Sequence, residues 1–147
     1  MDELPPAARV VIIGGGVMGA STAYHLAARG CTDVVLLEKQ SFFGQGATGK
    51  CAGGIRYQFA TEVNIRLSQH SLPMLDALEE TTGQPAGVRK CGYLFLLTRE
   101  EDLAAFRRNV ELQHRLGVAT EWLTPDEIPQ RARLVETGDV LAATFHP

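Results

Sequence analysis

The feature that most constrains this chain is residues 10–19, VVIIGGGVMG, in which four branched apolar residues run directly into spaced glycines. A short branched apolar run is typical of a strand that is buried on both faces of a parallel sheet. Gly14 permits a tight turn, Gly16 lets a diphosphate approach the main chain, and Gly19 lets the next helix pack closely on the strand. The segment therefore predicts a strand, a phosphate-binding turn and a helix.

The residues that follow decide what such a turn binds. A helical stretch over residues 20–29 ends at Gly30, and a second strand covers 34–37. Glu38 comes next, 19 positions after Gly19. In a parallel crossover the turn and this acid meet at one edge of the sheet, where a carboxylate can accept hydrogen bonds from ribose hydroxyls and would repel a 2′-phosphate. This order of strand, glycine turn, helix, strand and acid favours the binding of an adenine dinucleotide other than NADP. The alternative is a glycine-rich turn whose only role is to pack a helix on a sheet.

Composition narrows the class of protein. The 147 residues are 45% hydrophobic, which is enough for a domain with a core, and the net charge of −3 gives no basic field for nucleic acid. No apolar run approaches the length of a membrane span. Residues 1–6, MDELPP, are acidic and broken by proline, unlike a targeting segment, so we expect a cytoplasmic protein.

Cysteine and histidine do not indicate a reactive or metal site. The three cysteines lack Cys-x-x-Cys spacing, and the four histidines lack the pairing that metal sites use. We therefore predict no metal, no disulfide framework and no histidine with a chemical role.

Beyond Glu38 the pattern changes from a crossover to a long glycine-rich segment and then to new elements. Residues 40–60 show almost no periodicity, which favours a functional loop that forms a wall along the rest of the cofactor. The later predictions are a helix over 61–82 interrupted at Pro73, a strand at 92–97, a helix capped by Thr98 and ended by Gly117, a strand end at Trp122 followed by a short helix with Pro125 in its first turn, and a strand at 140–145.

Two motifs carry a family resemblance. Residues 10–30, VVIIGGGVMGASTAYHLAARG, resemble the opening of the FAD-dependent amine and amino acid oxidoreductases of the D-amino acid oxidase superfamily. Residues 46–59, GATGKCAGGIRYQF, look most like the branch of the sarcosine oxidase beta subunit and L-proline dehydrogenase. The resemblance is specific at these motifs and only pattern-level after residue 61.

The resemblance assigns cofactor-binding roles residue by residue. The first motif would hold the FAD pyrophosphate, and the acid after the second strand would bind the adenosine ribose. The glycine-rich loop would pass beside the pyrophosphate and the flavin ring. The residues in these roles are Gly14, Gly16, Val17, Met18, Gly19, Glu38, Lys39, Gly46, Ala47, Thr48, Gly53, Gly54 and Ile55. Lys50 and Cys51 stand where a flavin-tethering histidine would be, so the resemblance implies noncovalent FAD.

The resemblance also singles out Arg56 for the substrate. Its counterpart in the sarcosine oxidase group binds the amino acid's carboxylate, and a guanidinium can grip a carboxylate with two parallel hydrogen bonds. The alternative is a salt bridge to Glu62 or another acid. No residue is assigned a catalytic acid or base role.

These assignments imply an α/β fold with a Rossmann-like FAD-binding segment at residues 1–85 and the beginning of an α+β substrate domain at 86–147. Because family members are longer, we expect the chain to supply only the first part of both. The expected function is FAD-dependent oxidation of the C–N bond of an amino acid or secondary amine, such as sarcosine, proline or glycine, to an imine. The expected partners are that small-molecule substrate and a partner subunit or electron acceptor. The alternatives are an NAD-dependent Rossmann dehydrogenase and a non-catalytic dinucleotide-binding module.

Overall fold

The computed structural model describes residues 5–147. These residues form two compact units, one ending at Gly54 and the other spanning Ile55–Pro147. Residues 1–4, on which part of the cytoplasmic prediction rests, lie outside the described residues. Among residues 5–147, no helix combines the length and the apolar character that a membrane crossing needs.

The first unit is the predicted strand, helix and strand crossover. Its elements are β1 (Val10–Ile13), α1 (Val17–Ala28), β2 (Val34–Leu37) and α2 (Ala47–Lys50). β1 and β2 pair in parallel, with Val10 opposite Val34 and Ile13 opposite Leu37. Gly30 follows α1 with a φ of +79°, a left-handed conformation that glycine adopts without steric cost. The parallel pairing brings the turn after β1 and the end of β2 to the same edge.

The burial of β1 differs from the expectation of a strand covered on both faces. Val10 and Ile12 are partly covered by α1, whose Gly19 packs toward the Ile12 side chain. Val11 is 52% exposed and Ile13 is 88% exposed. The reason is that β1 and β2 form a two-stranded sheet in the described residues, and α1 covers one of its faces.

The glycine-rich loop after β2 is also more ordered than the expected stretch without periodicity. It contains the single-turn helix α2, which begins after Gly46. A Cβ at Gly49 would meet the carbonyl oxygen of Gly44, so the turn closes tightly on itself because two of its positions are glycine.

The second unit combines helices with an antiparallel sheet. Its elements are α3 (Glu62–Asp76), α4 (Leu78–Thr82), β3 (Tyr93–Leu97), α5 (Glu100–Arg115), β4 (Glu121–Leu123), α6 (Ile128–Arg131) and β5 (Ala142–His146). The strand order is β3-β5-β4, and both pairings are antiparallel. Tyr93 lies opposite His146, and Trp122 lies opposite Thr144.

Alternation along the strands divides the core of this unit between two faces of its sheet. On one face the buried residues Leu123, Ile128, Val140 and Ala143 form a cluster, against which Leu94 and Phe145 pack. On the other face the ring of Phe95 meets that of Phe106 on α5. Successive residues of a strand thus pack on opposite faces of the sheet, as the two-residue period of a strand requires.

Helix ends in this unit correct three details of the sequence predictions. Pro73 lies inside α3, and the helix ends later, at Ala77. Proline lacks a backbone N–H but keeps its carbonyl, which accepts a hydrogen bond from the Ala77 N–H. The residue before α5 is Arg99 rather than Thr98, and no side-chain cap is formed. The short helix α6 begins at Ile128, so Pro129 rather than Pro125 occupies its first turn.

Candidate functional site

In the first unit, Glu38 ties the end of β2 to the glycine turn. Its Oε2 accepts a hydrogen bond from the Gly15 N–H at 2.7 Å, and its Oε1 accepts one from the Gln40 N–H at 2.9 Å. The N–H of Gly14 donates to the Leu37 carbonyl at 2.8 Å. The acid that sequence reasoning singled out therefore lies directly beside the turn that it was expected to serve.

These contacts stabilise the ionised form of Glu38. The N–H groups of Gln40 and Gly15 lower the pKa of this carboxyl below its ordinary value of 4.5, and the neighbouring Lys39 adds a smaller favourable charge. A carboxylate offers about four acceptor positions on its two oxygens. Since one hydrogen bond reaches each oxygen, both oxygens keep capacity for a sugar hydroxyl.

Each glycine of the turn is required for a different geometric reason. Gly14 has a φ of +107°, which residues with a side chain rarely adopt. A Cβ at Gly19 would collide with the Gly14 carbonyl oxygen, so α1 can approach the turn only because this position is glycine. A Cβ at Gly16 would lie 3.0 Å from the Thr48 hydroxyl oxygen. The turn is thus a backbone cradle that side chains at these positions would disturb.

Thr48 connects the glycine-rich loop to the start of α1. Its hydroxyl oxygen accepts a hydrogen bond from the Val17 N–H at 2.9 Å. Val17 is the first residue of α1, and the N–H groups of a first helical turn have no partner within the helix. The hydroxyl of Thr48 therefore lies at the positive end of α1, where anions also bind.

Two residues that the sequence analysis did not assign to the site complete this arrangement. The Phe43 ring lies against Gly15, where it occupies the space that a Cβ would need. The N–H of Gly44 donates to the Gly15 carbonyl at 3.0 Å. Only the doubled aromatic residues beside a glycine at 42–44 could have signalled this contact in the sequence.

The remaining residues expected to bind cofactor are exposed. Met18 is 78% exposed at the start of α1, and the others of this group are Val17, Lys39, Gly46, Ala47, Gly53 and Gly54. Ile55, which is 44% exposed, belongs to the second unit. The structure thus joins Gly14, Gly19, Glu38 and Thr48 through contacts around one turn. This backbone cradle with a carboxylate beside it fits an adenine dinucleotide such as FAD.

In the second unit, the guanidinium of Arg56 is surrounded by aromatic rings. Its Cζ lies 4.7 Å from the ring centre of Phe59, 5.2 Å from that of Tyr93 and 5.3 Å from that of Phe95. Its Nη1 donates a hydrogen bond to the Tyr93 hydroxyl oxygen at 3.2 Å. Such rings attract a cation through their faces without neutralising its charge.

Arg56 keeps hydrogen-bonding capacity for a ligand. Its Nε is buried and has no hydrogen-bond partner among residues 5–147. The alternative, a salt bridge from Arg56 to Glu62 or another acid, is not formed among residues 5–147, where Glu62 pairs with Arg66 at 2.7 Å. A buried unpaired donor is costly, so the geometry favours an anion that would complete the site.

A cavity of about 300 Å³ adjoins this guanidinium. Its wall combines the apolar rings of Phe59, Phe95 and Phe106 with the amides of Asn64 and Asn109. None of the residues lining it is an acid. A cavity of this size with one cation suits a small carboxylate with an apolar body.

Two buried glutamines brace the wall of this cavity. Gln58 is 6% exposed; its Nε2 donates to the Tyr93 carbonyl at 2.6 Å, and its Oε1 accepts a hydrogen bond from the Thr144 hydroxyl at 2.7 Å. Gln113 donates to the Phe59 carbonyl at 3.0 Å and accepts from the Thr120 hydroxyl. The segment that carries Arg56 is therefore tied to the sheet and to α5.

The chain is similar to known proteins over nearly its whole length. The chain is 32% identical over 144 residues to the mouse (Mus musculus) mitochondrial pyruvate dehydrogenase phosphatase regulatory subunit, covering 98% of the chain and 16% of that protein. It is 32% identical over 146 residues to the formaldehyde-forming 4-methylaminobutanoate oxidase of Paenarthrobacter nicotinovorans, covering 99% of the chain and 18% of that protein. The chain therefore spans less than a fifth of the length of these relatives.

A solved structure and a family model extend the comparison to the fold. The L-proline dehydrogenase of P. horikoshii superimposes with a TM-score of 0.86 at 38% identity, over 98% of this chain and 37% of that one. The model of the DAO family, described as FAD dependent oxidoreductase, matches residues 9–147. The match confirms the predicted α/β fold, and FAD rather than NAD is the cofactor that the family's description names. The chain belongs to the DAO family of FAD-dependent oxidoreductases.

Proposed function

We propose that the protein containing this chain is an enzyme that uses FAD to oxidise the C–N bond of an amino acid or secondary amine to an imine. The observation that carries the proposal is the buried, unpaired Nε of Arg56 beside a cavity that no acid lines. A guanidinium in this state recognises a carboxylate, the group that amino acids such as sarcosine, proline and glycine share. When bound, FAD supplies the hydride acceptor that such an oxidation requires.

We assign the nucleotide to the glycine turn of the first unit. Gly14, Gly16 and Gly19 keep the backbone open to the pyrophosphate, with Val17 and Met18 at the start of α1. Glu38 and Lys39 serve the adenosine ribose. The proposed loop contacts come from Gly46, Ala47, Thr48, Gly53, Gly54 and Ile55. Support comes from the hydrogen bonds that Glu38 and Thr48 make around the turn.

The cofactor is tested on the intact protein purified from its native source. We expect a yellow protein that releases intact FAD on denaturation, because no flavin-tethering histidine stands near Lys50 and Cys51. A colourless protein that binds NAD would support the dehydrogenase alternative instead. Flavin that stays attached after denaturation would contradict only the noncovalent assignment.

The role of Arg56 is tested with Arg56→Met and with substrates that differ only in charge. We expect the KM for L-proline or sarcosine to rise by about 10- to 100-fold, since a hydrogen bond to a charged group contributes about 1.5–3 kcal/mol. The KM for L-prolinamide or sarcosinamide, which lack the carboxylate, should change little, and flavin content should stay constant. Equal KM values in the variant and the wild type would remove the assigned role.

A second candidate is a non-catalytic module that binds a dinucleotide. It is favoured by one observation, the similarity to a mouse protein named as a regulatory subunit. A yellow protein whose flavin is not reduced by sarcosine, L-proline or glycine under anaerobic conditions would favour this candidate.

Three further assignments stay predictions. We place the division between an FAD-binding segment and a substrate domain at residues 1–85 and 86–147. We expect a cytoplasmic location. We also expect electrons to leave the flavin either to oxygen or to a separate acceptor or partner subunit, and the rate at which oxygen reoxidises the reduced flavin would distinguish these routes.

A further inference from the structure

Tyr93 contacts the Arg56 guanidinium in two ways. Its hydroxyl oxygen accepts the hydrogen bond from Nη1 at 3.2 Å, and its ring centre lies 5.2 Å from Cζ. Phe59 and Phe95 also present rings to this guanidinium, but neither can accept a conventional hydrogen bond. Tyr93 is therefore the one member of this aromatic group that can fix the rotation of the guanidinium as well as surround it.

Tyr93 acts on the guanidinium from outside the cavity. The cavity wall includes Arg56, Phe59 and Phe95, and Tyr93 is not among the residues that line it. A ligand in the cavity would thus meet Arg56 directly, while Tyr93 is not part of the wall that the ligand would touch. Any effect of the Tyr93 hydroxyl on that ligand must pass through the arginine.

The orientation of Arg56 matters because its donors form a rigid planar fork. A guanidinium has five N–H groups, and a carboxylate is bound most strongly when two of them point in parallel at its oxygens. The bond from Nη1 to Tyr93 occupies one donor and restricts rotation of the plane. Nε has no hydrogen-bond partner among residues 5–147, so the fork keeps donor capacity for a ligand, and less conformational entropy is lost when the ligand binds an oriented guanidinium.

The position of Tyr93 is itself well determined. It is the first residue of β3 and lies opposite His146 on β5. Its carbonyl accepts the hydrogen bond from Gln58 Nε2 at 2.6 Å, and Gln58 lies two residues after Arg56. The same strand residue therefore holds both the backbone near Arg56, through Gln58, and the guanidinium of Arg56, through its own hydroxyl.

We propose that Tyr93 is a positioning residue that orients the Arg56 guanidinium for a carboxylate in the adjoining cavity. The inference rests on the proposed function, because it takes Arg56 as the carboxylate-binding residue. It adds a residue that determines specificity: Tyr93 contributes to the preference for a carboxylate over a neutral group without touching the substrate.

The test is Tyr93→Phe in the intact native protein, because this change removes the hydroxyl and keeps the ring. Steady-state kinetics are measured with an artificial electron acceptor on two pairs of probes, L-proline against L-prolinamide and sarcosine against sarcosinamide. Tyr24→Phe is the matched control, since it loses a hydroxyl that lies on α1 in the first unit. Flavin content is recorded for each variant.

We expect Tyr93→Phe to raise the KM for the carboxylate probes by about 5- to 10-fold, as for the loss of one ordinary hydrogen bond. This is less than for Arg56→Met, because the hydroxyl acts on the carboxylate only through the arginine. The kcat, the KM for the amide probes and the flavin content should stay within about twofold of the wild type, because the hydroxyl affects only the binding of the carboxylate. A purely structural defect would instead change the kinetics of both the carboxylate probe and the amide probe in each pair. The Tyr24→Phe variant should match the wild type throughout.

Two other results would overturn the inference, and they are distinguishable. In the first, the wild type prefers the carboxylate probes to the amide probes, Arg56→Met loses this preference, and Tyr93→Phe keeps it in full. The positioning role of Tyr93 is then wrong, while the proposed function stands. If the wild type treats carboxylate and amide probes alike, the role of Arg56 fails and the positioning role falls with it.

Discussion

The hydroxyl oxygen of Thr48 lies 2.9 Å from the amide nitrogen of Val17 and accepts its hydrogen bond. The contact links the single-turn helix of the glycine-rich loop to the first residue of α1. It satisfies a donor that the helix itself cannot satisfy. The loop and the glycine turn after β1 are therefore parts of one hydrogen-bonded unit.

Replacing Thr48 by valine tests this link. We expect the free energy of unfolding to fall by about 0.5–1 kcal/mol, since the Val17 N–H loses its side-chain acceptor. Thr48→Ser, which retains the hydroxyl, should lose less. Urea-induced unfolding measures the difference, and Thr32→Val, in an exposed turn before β2, is the control. Equal losses in Thr48→Val and Thr32→Val would mean that the contact has no energetic role.

Glu38 gives the first unit a pH dependence with a defined sign. The N–H groups of Gln40 and Gly15 hold the pKa of this carboxyl below its ordinary value of 4.5 in the folded state. A carboxyl with a lowered pKa contributes stability that is fully present above its ordinary value and is lost as the pH falls through the folded-state value. We therefore expect a loss of stability that begins near pH 4.5 and grows as the pH falls.

The measurement is thermal unfolding of the wild type and Glu38→Gln between neutral and acidic pH. The amide cannot titrate, so the variant should be less stable at neutral pH and should show a flatter curve in the acidic range. Glu111→Gln, at an exposed position of α5, is the control. Curves of the same shape for the wild type and Glu38→Gln would contradict the prediction.

Gly19 tests the close packing of α1 on the turn. A Cβ here would collide with the carbonyl oxygen of Gly14, which belongs to the backbone and cannot rotate away. We expect Gly19→Ala to destabilise the protein by about 1–3 kcal/mol, as overpacking does. A Cβ at Gly138 would meet no atom of residues 5–147 within 4 Å beyond its chain neighbours. Gly138→Ala, the control, should therefore change the unfolding free energy by less than about 0.5 kcal/mol.

Gln58 tests the buried network behind Arg56. Gln58→Leu leaves both the Thr144 hydroxyl and the Tyr93 carbonyl without their partner, and we expect a cost of about 2 kcal/mol in the free energy of unfolding. Adding Thr144→Val removes one of these unsatisfied groups, so the double variant should cost less than the sum of the two single changes. Strict additivity in urea unfolding would show that the two side chains are not coupled.

The sequence predicted the crossover well because its signals are local. Glycines, branched apolar residues and an acid at a fixed separation determine β1, α1, β2 and the place of Glu38. The prediction failed for the burial of Val11 and Ile13, since coverage of a sheet depends on elements elsewhere in a fold. It also placed the cap of α5 at Thr98 and Pro125 in the first turn of a short helix, whereas the residues before α5 and α6 are Arg99 and Glu127 and neither forms a side-chain cap.

Site residues that belong to a sequence motif could be predicted. Contacts between residues that are distant in the sequence could not. Arg56 could be singled out from its motif, but its surroundings could not. Tyr93 and Phe95 alternate along β3, so their shared face was visible in the sequence, yet nothing there indicated that this face receives Arg56. In the same way, the contact of Phe43 with Gly15 required the loop to fold back on the turn.

The contact between Phe43 and Gly15 changes how substitutions in the glycine motif should be interpreted. Any larger residue at position 15 must displace an aromatic ring and press on the Cβ of Glu38, 3.2 Å away. A loss of yellow colour in such a variant would then have two candidate causes, a displaced Phe43 ring and steric exclusion of the dinucleotide. A compensating change of Phe43 to a smaller residue separates these causes, because it relieves the displacement of the ring and leaves any steric exclusion in place.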